Sequence, residues 1–507
     1  MAIQLSCATF LGVEGIVISV EIDISRGIPS FNIVGMADTS VKEAKDRVRA
    51  AIINSGYKFP NNRITINLAP ADLKKEGTIF DLPIALGILI ASKQMEIENM
   101  DHYLVMGELS LSGKLKKVKG VLPIAIEGSR KGFKKLLIPY DNYVDCSMIK
   151  DIEIYPLNSL KQSVEFLLHK DMPSYHYKEA KEILKESSRD FSEVIGQEAA
   201  KRALEVAAAG GHNILMHGAP GSGKTMLAER ITSILPNLTY EEALDVTKIY
   251  SVHGGVNYEG GLIKRRPFRS PHNTITEVAL VGGGRNLMPG EISLAHNGVL
   301  FLDEILEFKK NLLQMLRQPL EDRTIKITRN AGTVSYPSSF MLVAALNPCP
   351  CGFYGTNIKP CRCSDYEIKR YIGKLSGPLL DRIDIFTQVN PLSYGEINCN
   401  IKKESSKEIR ERVENARTIQ IKRFKDENIK NNSEMKQKHI KKYCEIDNKT
   451  SKILELAFNK FHLSTRVYSR ILKVSRTIAD IEGKENIEEK HIIEALNYRK
   501  FINSEII

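Results

Sequence analysis

Hydrophobic residues in the first 170 positions follow two different spacings. Ile16–Ile22, Arg63–Leu68 and Lys135–Pro139 carry apolar side chains at strand spacing, whereas Val41–Ser55 and Phe80–Ser92 carry them at helical spacing. Strand and helix signals mixed in this way predict a compact α+β domain over residues 1–170.

The pattern changes further along the chain. Residues 171–189 are polar and charged, with little apolar periodicity, which predicts a linker. Residues 190–392 alternate short β-branched runs with helical segments, the pattern of a parallel sheet with crossover helices. Residues 393–507 are rich in Lys, Glu, Ile and Leu at helical spacing, so we expect an all-α region there, with a solvated, charged helix face in Lys402–Lys442.

Composition and charge narrow the class of protein. The 507 residues, 42% of them hydrophobic and 26% charged, are typical of a globular protein of about three domains. No apolar run is long enough to cross a bilayer, and Glu14 and Glu21 interrupt the apolar N-terminus, so we expect a cytoplasmic protein with no membrane partner. The net charge of +11 is equally compatible with a polyanionic partner and with an ordinary solvated surface.

Residues 218–225 have the pattern of a phosphate-binding loop. The segment Asn213–His217 is typical of a buried strand, and it leads directly into the GxxxxGK[ST] pattern of Gly218, Ala219, Pro220, Gly221, Ser222, Gly223, Lys224 and Thr225. Glycines allow backbone N–H groups and the following helix N-terminus to face phosphate oxygens. Lys224 would lie between the β- and γ-phosphates, and Thr225 would offer its hydroxyl to Mg²⁺. The pattern therefore predicts binding of ATP with Mg²⁺.

Two adjacent carboxylates follow a second predicted strand about 75 residues further on. The segment Gly298–Leu302 is apolar, and Asp303 and Glu304 come directly after it. A parallel sheet presents ligand-binding groups at that end of its strands. Asp303 suits the Mg²⁺ shell, and Glu304 suits polarisation of the attacking water. The alternative is that the two acids only cap a helix.

Two further polar residues are candidates for the same site. The apolar run Phe340–Leu346 predicts another buried strand, and it ends at Asn347, whose neutral amide could orient a water. Arg382 lies between a predicted helix and a predicted strand. From such an edge an arginine could stabilise the charge on a γ-phosphate bound by a neighbouring subunit. A local ion pair of Arg382 with Asp381 or Asp384 is the alternative.

Four of the eight cysteines are clustered in a loop rich in Gly, Tyr and Pro, at Cys349, Cys351, Cys361 and Cys363. Two CxC pairs separated by nine residues can close a tetrahedral thiolate site, and a structural Zn²⁺ suits that ligand set. Free structural thiols and redox sensing are the alternatives, since a disulfide is disfavoured in the cytosol. Because the loop begins two residues after Asn347, we hypothesise that its order influences ATP hydrolysis.

Together these motifs resemble a known branch of ATPases. The phosphate loop, residues 299–304 and 379–384, and Asn347 resemble AAA+ ATPases of the helix-2-insert branch, in which Asn347 would be the first sensor. That branch includes magnesium chelatase and the replicative minichromosome helicases. Four further segments resemble the magnesium chelatase-like ComM/YifB family of bacterial proteins, namely Arg266–His272, Gly290–His296, Arg317–Glu321 and Asn347–Gly352. The resemblance covers essentially the whole chain.

The resemblance also implies roles for other residues. Gly196 and Gln197 would line the adenine pocket, and Arg382 would be the arginine finger acting in trans within a homo-hexamer. Arg466 would be the second sensor on a C-terminal helical lid, although the sequence does not separate it from Arg470, one helical turn further on. ComM-type proteins are linked to ATP-driven branch migration of DNA during natural transformation. The family therefore implies an ATPase that acts as a DNA helicase or translocase.

The N-terminal region resembles the Lon-protease-like domain, whose fold is that of ribosomal S5 domain 2. An active Lon domain needs a nucleophilic Ser after a Lys-x-Gly turn and a Lys in a second turn. Here Ile79 falls at the Ser position and Leu122 at the Lys position, and a slip of one residue brings up Thr78 but no lysine. We therefore expect a scaffold or DNA-handling domain and not an active protease.

Candidate DNA contacts lie on two hairpins that the helix-2-insert resemblance implies. The first would lie between Thr225 and Asp303 and point into a central pore, and cations of that interval include Arg266 and Arg269. The second would run from Glu321 to Tyr336. Its period-two pattern puts Arg323, Ile325 and Ile327 on one face and Thr324, Lys326 and Thr328 on the other. Repeated six times, Lys326 and Arg329 would form a ring that tracks phosphates, unless these cations pair with acids of adjacent subunits.

Two other functions could use the same ATPase. A magnesium chelatase-type subunit would use it to load metal into a porphyrin, but the sequence has no Asp-x-Ser-x-Ser motif, and we expect the Lon-like domain to be foreign to such subunits. A regulatory binding module would use the nucleotide only to switch its conformation.

Overall fold

The computed structural model describes residues 3–36, 38–73, 75, 77–97, 99–169, 173–175, 189–254, 261–284, 287–329, 332–356, 359–392, 395, 403–461 and 463–499. Within these ranges the chain divides into two compact units. The first contains the described residues of 1–182, 243–263 and 332–335, and the second contains those of 183–242, 264–331 and 336–507. Most of the predicted linker at 171–189 lies outside the described residues.

The first unit is built around a seven-stranded mixed sheet of order β3-β4-β2-β1-β5-β8-β9, and β6 and β7 form a separate ribbon. The nine strands are β1 Ile3–Leu11, β2 Glu14–Ser25, β3 Ser30–Val34, β4 Arg63–Ala69, β5 Tyr103–Val105, β6 Glu108–Leu109, β7 Leu115–Lys116, β8 Lys135–Pro139 and β9 Glu153–Leu157. β2 is antiparallel to β1 and β4, whereas the other neighbours run parallel. The three strands predicted for this region fall on β2, β4 and β8.

Helices of the first unit cover this sheet at Thr39–Lys42, Ala44–Asn54, Asp81–Ala91, Val121–Arg130, Tyr143–Cys146 and Leu160–His169. The helix Asp81–Ala91 is apolar around most of its circumference and is buried from Asp81 to Leu89. Gly87 allows it to approach the sheet, since a Cβ there would lie 2.0 Å from Ile22 Cδ1. These elements share one hydrophobic core, so the predicted α+β character of this region is confirmed.

The second unit contains a five-stranded parallel sheet of order β11-β14-β17-β10-β18. The strands of this part of the chain are β10 Ile214–His217, β11 Phe268–Arg269, β12 Gly282–Gly283, β13 Met288–Pro289, β14 Val299–Leu302, β15 Thr324–Arg329, β16 Gly332–Pro337, β17 Met341–Leu346 and β18 Ile385–Gln388. β10, β14 and β17 are buried along their whole length, which explains why they are continuous apolar runs. All three coincide with predicted strands. Two small ribbons, β12 with β13 and β15 with β16, stand apart from the sheet.

Helices connect these strands at Glu198–Gly210, Lys224–Ile234, Glu277–Val281, Glu291–Leu294, Lys310–Met315, Pro319–Asp322, Asp365–Ile372 and Gly377–Leu380. A further helix, Tyr240–His253, lies between β10 and β11 in sequence and belongs to the first unit from residue 243 onward. The alternation of strand and helix confirms the predicted α/β character of this region. The parallel sheet also brings the carboxyl ends of β10, β14 and β17 to one edge, where the candidate nucleotide site lies.

The C-terminal region is helical, as the sequence predicts, with helices at Ser406–Arg423, Gln437–Tyr443, Asn448–Lys460, Thr465–Ile481 and Glu489–Asn497. Ser405 and Ser464 cap two of them by accepting backbone N–H groups from Glu408 and Val467. Their buried side chains join the same hydrophobic core as the parallel sheet. No helix in the described ranges is long and apolar enough to span a membrane.

Candidate nucleotide-binding site

The predicted phosphate loop connects β10 to the helix Lys224–Ile234. Gly221 and Gly223 have φ of +75° and +97°, a backbone region that favours glycine. Gly218 is needed for a different reason, because a Cβ there would lie 2.1 Å from the carbonyl oxygen of Val389. The glycine pattern therefore reflects both the turn and a close approach to the chain after β18.

Lys224 is buried and bound within this loop. Its Nζ donates to the carbonyl oxygens of Gly218 at 2.8 Å and Ala219 at 2.9 Å, and to Asn347 Oδ1 at 3.1 Å. Burial lowers the pKa of Lys224, while the carboxylates of Asp303 and Glu304 oppose that shift. The ammonium group thus lies between the loop and the residue that follows β17, where phosphate oxygens could replace the carbonyl acceptors.

Thr225 and Asp303 meet at the edge of the sheet. Thr225 Oγ1 donates to Asp303 Oδ2 at 2.7 Å, and the N–H of Glu304 donates to Asp303 Oδ1 at 2.9 Å. A hydroxyl and a carboxylate at this separation suit Mg²⁺, which prefers oxygen ligands. The buried Ser222 Oγ has no hydrogen-bond partner among the described residues, as expected of a loop built to hold an anion. The side chains present therefore fit a phosphate with its Mg²⁺.

Glu304 is exposed beside Asp303. It precedes a short 3₁₀ turn at Ile305–Glu307, but its side chain makes no capping hydrogen bond. This geometry does not favour the capping alternative for Glu304. Its φ of +47° and ψ of +49° are uncommon for a non-glycine residue, and such backbone strain is concentrated at functional sites.

Gly196 and Gln197, predicted to line the adenine pocket, are the last residues before the helix Glu198–Gly210 and have φ of +59° and +61°. Gln197 Nε2 donates to the carbonyl oxygen of Asn390. A Cβ on Gly196 would lie 3.0 Å from Leu392 Cδ2. Since Val389 adjoins the phosphate loop, residues 389–392 connect the two loops that the sequence assigned to the nucleotide.

The charged residues of 381–384 each bind a partner from a different part of the second unit. Arg382 forms an ion pair with Glu321, Asp384 forms one with Arg470, and Asp381 lies 3.8 Å from Arg466. The local pairs of Arg382 with Asp381 or Asp384, which we considered as its alternative, are therefore not the contacts that the structure shows.

The two candidates for the second sensor differ in their surroundings. Arg470 contacts the buried Asp384, which also accepts the backbone N–H of Asn213 at 3.1 Å and lies 3.5 Å from His212 Nδ1. Burial raises the pKa of Asp384, but Arg470, His212 and Lys473 outweigh burial and hold it below its usual range. The Arg466 side chain is 69% exposed against 23% for Arg470. Arg470 is thus part of a buried network, whereas Arg466 is accessible.

The four clustered cysteines converge as the spacing predicts. Their sulfur atoms all lie within 4.8 Å of one another, and Cys349, Cys351 and Cys361 are separated by 3.3, 3.6 and 3.7 Å. A tetrahedral Zn²⁺ with Zn–S bonds of about 2.3 Å requires sulfur separations of about 3.8 Å. Backbone hydrogen bonds from Arg362 and Phe353 lower the pKa of Cys351 to about 6, whereas at Cys361 and Cys363 a backbone hydrogen bond is outweighed by burial and by hydrogen bonds to the neighbouring thiols, which raise the pKa values of these two residues. Cys351 is thus readily ionised, and Cys361 and Cys363 need a bound cation to become thiolates.

The four candidate DNA contacts fall into two classes. Arg266 is largely buried, with hydrogen bonds to the carbonyls of Pro236 and Asn297 and an ion pair to Glu242 at 3.0 Å. Arg269 binds both carboxylate oxygens of Glu291 at 2.6 Å. These internal contacts engage the guanidinium groups of Arg266 and Arg269, so the geometry does not favour either as a DNA contact.

Lys326 and Arg329 belong to the second class. Both are exposed on β15, and neither pairs with an acid among the residues that the structure describes. Ile325 and Ile327 are buried, so the predicted alternation along this strand is confirmed.

Sequence reasoning missed two residues, Glu321 and His212. Glu321 lies in the Arg317–Glu321 motif, but 61 positions separate it from Arg382, and no local pattern predicts that the two residues form a pair. His212 likewise carried no signal, although it hydrogen-bonds to Thr477 of the C-terminal region at 2.8 Å.

Comparisons with known proteins agree with this arrangement. The family model described as magnesium chelatase, subunit ChlI, matches residues 190–397, that of the ChlI C-terminal part matches 403–499, and that of subunit ChlI of Mg-chelatase matches 20–142. Because the match at 20–142 covers most of the N-terminal domain, the expectation that this domain is foreign to chelatase subunits is wrong.

Sequence similarity to two bacterial proteins extends over nearly the whole chain. Competence protein ComM of Haemophilus influenzae is 44% identical over 503 residues, covering 97% of this chain and 96% of the relative. The uncharacterised protein YifB of Escherichia coli is 43% identical, covering 96% and 95%. The magnesium-chelatase 67 kDa subunit of Chlorobaculum parvum is 26% identical over 209 residues, which is 40% of this chain and 27% of that protein. With its AAA+ sheet, its helical C-terminal region and these near-full-length relatives, the chain belongs to the magnesium chelatase-like ComM/YifB family.

Proposed function

We propose that this protein is an ATP-hydrolysing hexameric motor that acts on DNA, as a helicase or branch-migration translocase in recombination or natural transformation. The observation that carries the ATPase is the convergence of Lys224, Asn347, Thr225 and Asp303 at one edge of the sheet, with contacts of 2.7–3.1 Å. Support for the DNA substrate comes from the exposed cations of β15 and from a near-full-length relative named as a competence protein.

Each residue at the sheet edge would have a separate task in hydrolysis. Lys224 would exchange its carbonyl acceptors for the β- and γ-phosphates, and Thr225 and Asp303 would hold Mg²⁺. When bound, Mg²⁺ would neutralise part of the phosphate charge. Glu304, exposed beside Asp303, would polarise the attacking water, and Asn347 would orient it as the first sensor. Gly196 and Gln197 would border the adenine.

Arg382 would serve the ATP of a neighbouring subunit as the arginine finger, and Arg466 would be the second sensor on the helical lid. Arg466 lies 3.8 Å from Asp381, the residue next to Arg382, so Arg466 lies beside the segment that carries Arg382. In a ring, this segment could face the phosphates held by the next subunit. Arg470, which binds the buried Asp384, is the weaker candidate for the second sensor.

DNA would contact a groove beside β15. Ile327 packs against β12, since its Cδ1 would lie 2.9 Å from a Cβ on Gly282, and the two ribbons are therefore in contact. The groove has a volume of about 300 Å³, and its lining includes Lys326 and Arg329. Two exposed lysine and arginine side chains per subunit would bind phosphates without reading bases.

The N-terminal domain would be Lon-protease-like in fold and without protease activity. Ile79 and Leu122, at the positions of the missing nucleophile and lysine, are both buried in the core, so neither faces a substrate. Thr78, the residue that a one-position slip would bring up, donates its hydroxyl to Glu108. We propose the division into residues 1–170, a linker at 171–189, the ATPase core at 190–392 and a helical lid at 393–507.

The cysteine loop would hold one structural Zn²⁺. The thiols of Cys349, Cys351, Cys361 and Cys363 suit a tetrahedral site closed by protein ligands. The N–H groups of Tyr354 and Cys363 point at Cys349 Sγ and Cys361 Sγ, at 3.3 and 3.4 Å, in the manner of hydrogen bonds that stabilise metal-bound thiolates.

Steady-state ATP hydrolysis measured with single-stranded, duplex and branched DNA, with protoporphyrin and with casein separates the candidate functions. We expect turnover to rise with DNA, most with a branched substrate. Stimulation by protoporphyrin alone would instead support a chelatase-type subunit, for which the matches to the ChlI family models and the partial match to the 67 kDa subunit are the present support.

A further inference from the structure

We propose that Glu321 is a positioning residue that holds the finger Arg382 back until DNA engages the β15 ribbon. This inference rests on the proposed function and adds to it a control step within each subunit. The sequence placed this carboxylate at the end of the Arg317–Glu321 motif and at the start of the second predicted hairpin, and assigned it no role.

The contacts of Arg382 are those of a resting position. Nη2 pairs with the Glu321 carboxylate and Nη1 donates to the Pro378 carbonyl at 2.6 Å, while the buried Nε has no hydrogen-bond partner among the described residues. A buried guanidinium N–H without an acceptor is a cost that another arrangement can remove. Glu321 is 63% exposed, and an ion pair with so exposed a carboxylate is weak enough to exchange for a phosphate.

The backbone around Arg382, by contrast, is firmly held. Its carbonyl oxygen accepts from Asn213 Nδ2 at 2.8 Å, and Asp384 is tied to Arg470 inside the protein. The side chain of Arg382 can therefore change partner while its Cα stays in place. This combination of a fixed base and an exchangeable partner suits a finger that is gated by a neighbouring carboxylate.

Glu321 is joined to the candidate DNA groove by a short piece of chain. It lies on the helix Pro319–Asp322, and β15 begins two residues after that helix. The groove is lined by Pro319 of the helix and by Lys326 and Arg329 of the strand. A DNA strand whose phosphates are bound by Lys326 and Arg329 would therefore press on the helix that carries Glu321. A small shift of that helix would break the ion pair between Glu321 and Arg382.

The test compares Glu321→Gln with Asp322→Asn, a neighbouring exposed acid on the same short helix with no ion pair among the described residues. For both variants and the parent, kcat and KM for ATP are measured with and without branched DNA, after hexamer size and thermal stability are checked. We expect Glu321→Gln to raise DNA-free kcat by about 2- to 5-fold at unchanged KM, so that the DNA stimulation ratio falls. Asp322→Asn should behave like the parent, and Glu321→Asp should restore part of the ratio.

A second arm places Glu321→Gln in an Arg382→Ala background, where its effect should vanish because the two residues act through one contact. An unchanged DNA-free rate in Glu321→Gln, or an equal fall of both rates, would overturn the inference. Absence of DNA stimulation in the parent would count against the proposed function, yet the DNA-free arm would still report on the Glu321–Arg382 pair. The two failures are therefore distinguishable.

Discussion

Gly352 packs directly against Pro220, so closely that a Cβ on residue 352 would lie 2.5 Å from Pro220 Cδ. Gly352 has φ of +83° and follows Cys351 in the cysteine loop, whereas Pro220 belongs to the phosphate loop. The cysteine loop also begins two residues after Asn347, which contacts Lys224 at 3.1 Å. The candidate metal site therefore adjoins the nucleotide site in two places, through a packing contact and through the chain itself.

Loss of the metal should for this reason weaken nucleotide binding. Purified protein is expected to carry about one Zn²⁺ per chain, and Cys349→Ser with Cys361→Ser should remove it and lower ATP affinity. Elemental analysis and binding of a fluorescent ATP analogue measure the two effects, with Cys444→Ala, outside the cluster, as the control. Protein purified without chelators and found free of metal would leave the free-thiol alternative in place.

Lys224 and Glu304 should fail at different steps. Lys224→Ala should abolish nucleotide binding, because the ammonium group contacts phosphates in the ground state. Glu304→Gln should bind ATP and trap it unhydrolysed, because Glu304 acts on the water. Equilibrium binding and single-turnover hydrolysis distinguish the two outcomes, and near-normal turnover in Glu304→Gln would contradict its assignment.

The arginine assignments predict complementation between subunits. Arg382→Ala should leave ATP affinity largely intact and reduce hydrolysis by roughly a thousandfold, the size typical of arginine fingers. Mixing Arg382→Ala with Glu304→Gln subunits should restore some activity at interfaces that join an intact finger to an intact site. If hexamers form and no mixing ratio restores activity, the finger does not act in trans.

Alanine variants of Arg466 and Arg470 distinguish the two candidates for the second sensor. Arg466→Ala should lower turnover without lowering the melting temperature, since the side chain is largely exposed. Arg470→Ala should instead lower the melting temperature, because it leaves the buried Asp384 without its ion pair.

The buried strands of the parallel sheet could be predicted from the sequence, because each depends on a short local pattern. β10, β14 and β17 were predicted because each is a continuous apolar run that ends in polar residues. The partners of Arg266 and Arg382 were not predicted, because Glu242 and Glu321 are distant in sequence and many acids could have served. Arg466 and Arg470 were inseparable for the opposite reason, since a spacing of one helical turn puts both on the same face.

The network around Asp384 should make stability depend on pH in a defined direction. The pKa of Asp384 is lower in the folded protein than in the unfolded chain. The stability that its ionised carboxylate provides is therefore fully present above the unfolded pKa of about 4 and is lost as the pH falls. Asp384→Asn should cost roughly 3 kcal/mol at pH 7, because it leaves Arg470 without its charged partner. Urea denaturation should show a constant gap between parent and variant from pH 8 to pH 5 and a narrower gap below about pH 4.

Asp381→Asn is the matched control for this prediction. Asp381 is more exposed than Asp384 and lies 3.8 Å from Arg466, so its removal should change stability little. A gap for Asp384→Asn that widened as the pH fell would show that its carboxyl is not held ionised in the folded protein.

DNA binding should depend on the exposed Lys326 and Arg329 of β15 and not on Arg266 and Arg269, which are bound internally. Replacing Lys326 and Arg329 with Ala should leave DNA-free ATP hydrolysis intact while weakening DNA binding and any unwinding together. The slope of log affinity against log salt should become less steep by about 0.9 for each phosphate of duplex DNA that the variant no longer neutralises. A charge-matched control, Lys425→Ala with Lys452→Ala, removes two exposed lysines from the C-terminal helical region and should leave the slope unchanged. A double β15 variant that binds and moves DNA like its parent would rule out the groove as the DNA grip, and the N-terminal domain would then be the better candidate.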